Sequence, residues 1–154
     1  MKILAVDPGK NSGYVVYHYR KKRIIEKGTI SENWDEKFLE LLRRQKPSYL
    51  ILERMEIRGR GFAAKDLLPI AEQVGRWAGI ATTFEFSVDF VSYYTPSEWK
   101  GNSPKLVTKN RVLQQWPYIQ TASDYWNEHE IDAAGILQYA LEDIGPFLHK
   151  LYGT

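Results

Sequence analysis

Lys2-Ile-Leu-Ala-Val-Asp-Pro-Gly-Lys10 opens the chain with a short apolar run that stops on an acid and a turn. Residues 2–8 read as a buried strand, with Ile3 to Val6 inside and Asp7-Pro8-Gly9 closing it. The next segments extend the same pattern. Gly13 to Tyr19 alternates as a second strand, Arg20-Lys-Lys-Arg23 forms a polar turn, and Ile24 to Ile30 continues as a third strand. Two strands joined by a tight polar turn make an antiparallel hairpin.

Beyond the hairpin the period changes. Trp34, Phe38, Leu41 and Leu42 recur at helical spacing, which predicts a helix from Ser31 to about Lys46-Pro47. Tyr49-Leu-Ile-Leu52 is a continuous apolar run, the mark of a strand buried on both faces, and it delivers Glu53 at its end. Leu67, Ile70, Ala71, Val74 and Ala78 outline a second helix, and Ser87 to Tyr94 a further strand. Ser103-Pro104 predicts a helix start with Ser as cap and Pro at the first helical position, stopping at Trp116-Pro117. A last helix is predicted from Asn127, with Glu130 completing a capping box and Ile131, Ala134, Leu137 and Leu141 on its inner stripe. Antiparallel strands followed by βαβ units predict an α/β fold, a mixed five-stranded sheet with helices packed on it.

Composition sets the bounds. One domain over residues 1–154 fits the length, and no repeat, low-complexity tract or linker divides it. Lys plus Arg (21) exceed Asp plus Glu (19) by two, so the whole chain does not advertise a polyanion partner, although a local basic face fits such a balance. With no cysteine, disulfides and thiolate metal sites are excluded. No export signal or membrane-spanning run is read, and the expectation is a cytoplasmic domain with no membrane partner.

Three features are placed to do chemistry. Asp7 and Glu53 each end a strand, and His129 and Asp132 lie three apart on one helix face. Each has an ordinary reading as well: a turn, a surface ion pair beside Arg54, and acids complementing a helix dipole. Gathered in one pocket, carboxylates repel one another and call for a cation. Two Mg²⁺ or Mn²⁺ ions about 3.5–4 Å apart suit phosphodiester hydrolysis, and an imidazole tilts the preference towards Mn²⁺.

Together these segments resemble the RuvC-type Holliday junction resolvases of the ribonuclease H-like superfamily. Ile3-Leu-Ala-Val-Asp-Pro-Gly9 is similar to the family's first strand and its acid, and Tyr49-Leu-Ile-Leu-Glu-Arg54 to the strand bearing the second. Ile70-Ala-Glu-Gln-Val-Gly-Arg-Trp-Ala-Gly79 resembles the following helix, and His129-Glu-Ile-Asp-Ala-Ala134 the terminal motif. The resemblance implies a ribonuclease H-like sheet flanked by helices on both faces. It also implies two metal ions per site, with Asp7 bridging both, Glu53 serving one, and His129 with Asp132 the other. Lysines that contact phosphates or assist the transition state are expected at Lys100 and Lys109, the latter as a catalytic residue, with Lys105 a third; all three read equally well as solvated helix charges. In the family an aromatic residue following the second acid wedges into the junction. Here Met55 stands nearest, and Arg58-Gly-Arg-Gly-Phe62 follows, so Met55 or Phe62 would wedge while Arg54, Arg58 and Arg60 meet phosphates.

The expected function is paired, symmetric cutting of four-way DNA junctions by a homodimer, with the second helix and Trp77 at the interface and any branch-migration helicase partner unknown. The alternatives are a related nuclease acting on other branched DNA or RNA–DNA hybrid, and an inactive junction-binding protein. An actin-like phosphotransferase needs two such domains, for which 154 residues leave no room.

Overall fold

Alternation along β1 (Lys2–Asp7) sends Ile3 and Ala5 to one core and Leu4 and Val6 to another. The structure, a computed structural model, describes residues 1–56, 64–86, 88–117 and 126–153. After β1 come β2 (Ser12–His18), β3 (Arg23–Ile30), α1 (Trp34–Gln45), β4 (Tyr49–Glu53), α2 (Ala64–Ala81), β5 (Phe90–Tyr94), α3 (Pro96–Trp99), α4 (Lys105–Gln115) and α5 (Glu128–Tyr152). The strands make one five-stranded sheet in the order β3-β2-β1-β4-β5. The hairpin strands pair antiparallel, while β1–β4 and β4–β5 pair parallel, so the mixed α/β sheet forms as expected.

Each face of the sheet is covered. Ile3, Ala5, Tyr49 and Ile51 pack with Ile131, Ala134 and Leu137 of α5, and with Val112 of α4 and Trp116 at its end. Leu4, Val6, Leu50 and Leu52 pack with Phe38 and Leu42 of α1 and with Val74 and Trp77 of α2. Burying β4 on both faces is what its continuous apolar run requires. Among the described residues no helix is long and apolar enough to cross a membrane.

Several boundaries differ from expectation. The first helix begins at Trp34, because the chain leaving β3 first turns through Asn33 in the left-handed conformation (φ 47°), which Asn tolerates. Trp34 itself is exposed, donating its indole N–H to the Lys10 carbonyl at 3.0 Å. Pro104 is extended (ψ 152°) and caps α4 in place of Ser103, so that helix starts one residue late. The second helix runs from 64 to 81, through Pro69, and the fifth strand is confined to 90–94, with Ser87 outside the described residues. The one-turn helix α3 was not expected.

Trp77 requires a correction of function as well as position. It is fully buried, stacked on Phe38 with centroids 4.3 Å apart, and its N–H bonds Asp35 Oδ1 at 2.8 Å. Helical periodicity marks an apolar face but not what covers it; here the sheet does, and Trp77 supplies no subunit interface.

The start of α5 matches its reading. Asn127 Oδ1 accepts the Glu130 N–H at 2.9 Å, and Glu130 Oε2 accepts the Asn127 N–H at 3.2 Å. Lys27 also donates to Glu130 Oε2 at 3.1 Å, tying β3 to this turn. Asn127→Ala is expected to cost about 0.5–2 kcal/mol in urea denaturation.

Candidate active site

Strand register builds the first half of the site. In the parallel β1–β4 pair, Ile3 stands beside Tyr49 and Val6 beside Leu52, so one step further Asp7 stands beside Glu53. With a period of two, Asp7 shares the face of Ile3 and Ala5, and Glu53 that of Tyr49 and Ile51. Both carboxylates therefore point to the α5 side. Gly13 of β2 pairs with Asp7, and Tyr94 of β5 pairs with Glu53, completing a row across four strands.

Gly13 lets the second half arrive. A Cβ there would lie 1.9 Å from the His129 carbonyl oxygen and 2.7 Å from the Glu130 nitrogen. The first turn of α5 thus rests directly on the β2 backbone, opposite Asp7. His129 and Asp132, three apart in α5, are brought down with it. The loop between Asp7 and Gly13 is fixed too. Ser12 Oγ accepts the Gly9 N–H at 3.0 Å, donates to the Gly9 carbonyl at 2.9 Å, and accepts from buried Gln73 at 3.1 Å.

The electrostatics show that Asp7, Glu53 and Asp132 sense each other. Burial raises the Asp7 carboxyl well above the usual range, and repulsion from Glu53 and Asp132 adds to the shift. Burial likewise raises Glu53, opposed by a hydrogen bond from Trp99 and the charge of Lys100, with Asp132 pushing further up. Asp132 is raised by burial, against the pull of Lys100 and Lys105. The side-chain hydrogen bond between Asp7 and Glu53 raises the Asp7 carboxyl further and lowers that of Glu53.

Of the residues singled out in the sequence, Asp7, Glu53, Asp132 and Lys100 come together. His129 is half-buried at the rim, acting on Asp132 and lying 3.8 Å from Glu128 Oε1. Lys105 is exposed and paired with Glu128 at 2.9 Å, while Lys109 is exposed one turn further along α4. Arg54 is exposed and Met55 half-buried just beyond β4; Arg58, Arg60 and Phe62 lie outside the described residues. Sequence reasoning missed Trp99 as a partner of the site: its indole N–H donates to Glu53 Oε2 at 2.6 Å. The pair is 46 residues apart, and nothing local in the sequence announces it.

As a donor set, these desolvated and mutually repelling carboxylates fit a hard divalent cation, whose charge would relieve the repulsion. Among the described residues no three acid or imidazole groups stand in the arrangement of a formed metal cluster. Glu53 instead engages the Trp99 indole and the Asp7 carboxyl. Asp7, Glu53 and Asp132, with His129 at the rim, are the groups that would hold an ion.

No family model and no curated protein matches the sequence. Solved structures do. Thermus thermophilus RuvC in complex with a Holliday junction substrate superposes with a TM-score of 0.71 at 18% identity, over 99% of this chain and 97% of that one. The fowlpox virus Holliday junction resolvase gives 0.56 at 20% identity, over 95% and 99%. The yeast mitochondrial Holliday junction resolvase gives 0.56 at 13%, over 97% and 85%. These likenesses span nearly the whole of this chain, so the five-stranded sheet and its closing helix make this the fold of the RuvC-type Holliday junction resolvases.

Proposed function

We propose that the protein is a metal-dependent endonuclease that resolves four-way DNA junctions by paired, symmetric nicks. The observation that carries this reading is the meeting of Asp7, Glu53 and Asp132 beside Lys100 at one end of the sheet. The whole-chain likeness to junction resolvases, two of them solved on junction substrates, supports the choice of nucleic acid over other phosphodiesters.

Asp7, Glu53, His129 and Asp132 are the proposed ligands of two Mg²⁺ or Mn²⁺ ions. Bound there, such ions would activate a water and stabilise the leaving oxygen. Burial raises the Asp7 carboxyl, so ligation competes with protonation and cutting rises as pH climbs above the ordinary carboxylate range. Lys100 neutralises part of the carboxylate field and offers its ammonium to a phosphate. Lys105, whose charge reaches Asp132, and Lys109, exposed on α4, are the proposed holds on the strand's backbone. Arg54 and Met55, with Arg58, Arg60 and Phe62 beyond them, are the proposed junction contacts next to Glu53.

A four-way junction has two-fold symmetry, which an isologous dimer matches. With Trp77 buried, the proposed interface moves to the outer face of α2, where Leu68 is 57% exposed and Gly75 and Gly79 leave open space.

One assay tests the reading. Purified protein with Mg²⁺ or Mn²⁺ is incubated with a labelled four-way junction, a three-way branch, linear duplex and an RNA–DNA hybrid. Paired nicks on the junction alone are expected. Hybrid or three-way cleavage would reassign it to a broader nuclease, and tight junction binding without any cut would make it a binding protein.

A further inference from the structure

Trp99 stands between Glu53 and the last helix, which the chain brings from far apart, and carries its own neighbour Lys100 over its ring. Its indole N–H reaches Glu53 Oε2 at 2.6 Å, and the Lys100 ammonium lies 5.0 Å from its ring centroid. A Cβ on Gly135 would come within 2.5 Å of its Cζ3 and 3.1 Å of its Cε3, so the ring is seated against α5 one turn beyond Asp132. It is 6% exposed.

The segment carrying Trp99 is anchored independently of these contacts. Thr95 and Glu98 close a capping box over α3, with the Thr95 N–H reaching Glu98 Oε2 at 2.6 Å. The Ser97 hydroxyl and N–H both bond the Glu56 carboxylate. The indole is therefore a fixed point, and Glu53, a long side chain on a strand end, is the group it holds.

We infer that Trp99 is the positioning residue for Glu53, with Gly135 the gap in α5 that allows it. The inference rests on the proposed nuclease reading and deepens it. A carboxylate left to rotate presents its oxygens to an ion in many orientations; a donor on Oε2 limits that rotation and leaves Oε1 to the ion. Because the same ring touches α5 and faces Lys100, the distance between the β4 and α5 acids is set by one rigid side chain. Partners that orient a metal ligand in this way typically contribute about 10–100-fold to affinity or activity.

Trp99→Phe keeps an aromatic face for Lys100 and removes the donor, together with part of the ring seated on Gly135. With the full chain, titration calorimetry with Mn²⁺ in the absence of DNA is expected to show weaker binding by about 10–100-fold. Junction cutting should fall by a similar factor in kcat with KM for the junction unchanged, and raising Mn²⁺ should recover part of the rate, which a general packing role would not allow. In a Glu53→Gln background the same change should have no further effect on Mn²⁺ affinity. The wild-type protein gives a reading that needs no Trp99 variant: its Nε1–H resonance should shift and exchange faster with solvent in Glu53→Gln. Unchanged Mn²⁺ affinity in Trp99→Phe, an additive double variant, or an indole resonance indifferent to Glu53→Gln would each overturn the assignment. Should the wild type cut no junction, the proposed activity fails, while the Mn²⁺ and resonance arms still decide the role of Trp99.

Discussion

Asp7→Asn is expected to abolish junction cutting, leave junction binding intact, and raise the melting temperature. Cutting is lost because Asp7 is the acid between the other two and the proposed bridging ligand. Binding survives because phosphate contacts from Lys and Arg carry most of the affinity, and one fewer negative charge does not oppose them. The stability gain follows from the direction of the shift. An acid whose folded-state pKa is raised binds its proton more tightly when folded, so stability falls as pH rises from the ordinary carboxylate pKa towards the raised value, and stays reduced above it. Glu53 and Asp132 shift the same way. At neutral pH the fold therefore carries the strain of its own acids, and Asn removes the most strongly shifted of them. A rise of a few degrees in Tm is expected, at roughly 2–4 °C per kcal/mol for a chain of this size. Mg²⁺ or Mn²⁺ should raise the wild-type Tm further and the Asp7→Asn Tm less. A variant that cuts normally would remove Asp7 from the site, and one less stable than wild type at neutral pH would contradict the electrostatic reading.

Gly13→Ala is the second large effect. The added Cβ meets backbone, not a side chain able to rotate away, so either β2 or the first turn of α5 must move. Overpacking costs about 1–3 kcal/mol, and a backbone obstacle places this case at the upper end, roughly 6–12 °C in Tm. Moving α5 outward carries His129 and Asp132 away from Asp7 and Glu53, and a displacement of about 1 Å is enough to lower cutting by roughly 10²-fold. Gly145→Ala on the same helix is the control: its Cβ meets nothing within 4 Å. There the helix-interior gain of about 0.5–1 kcal/mol from alanine is offset by the restriction that Pro146 places on the residue before it, so stability should change little and cutting not at all. Equal behaviour of the two variants in thermal melts and nicking assays would refute the close-approach argument.

What the sequence made legible was what local physics controls. Period-two alternation and the apolar run at Tyr49–Leu52 placed Asp7 and Glu53 at strand ends, and the capping pair Asn127 and Glu130 placed the last helix to the residue. Misreadings fell where tertiary context decides. Ser31 has cap chemistry, but the turn out of β3 is made at Asn33. Ser103-Pro104 looks like a cap and first position, but the proline itself takes the extended cap conformation. Trp77 sits on a helix face whose partner periodicity cannot name. The metal-ligand candidates on strand ends were legible because a strand end is a local event; the Trp99–Glu53 contact was not, since it exists only once β4 and α3 have met.

The seat that Gly13 offers α5 also has a consequence in time. In chain order, the helix carrying Asp132 comes after every strand and every other helix. During synthesis Asp7 and Glu53 emerge before Asp132, and a domain generally folds as a unit, so the strand-end acids wait on the helix that brings the third. The proposed nuclease is thus harmless while unfinished, becoming able to cut only when its last helix drops onto a bare stretch of backbone. Any stress that lifts that helix would disarm the molecule before its sheet gives way.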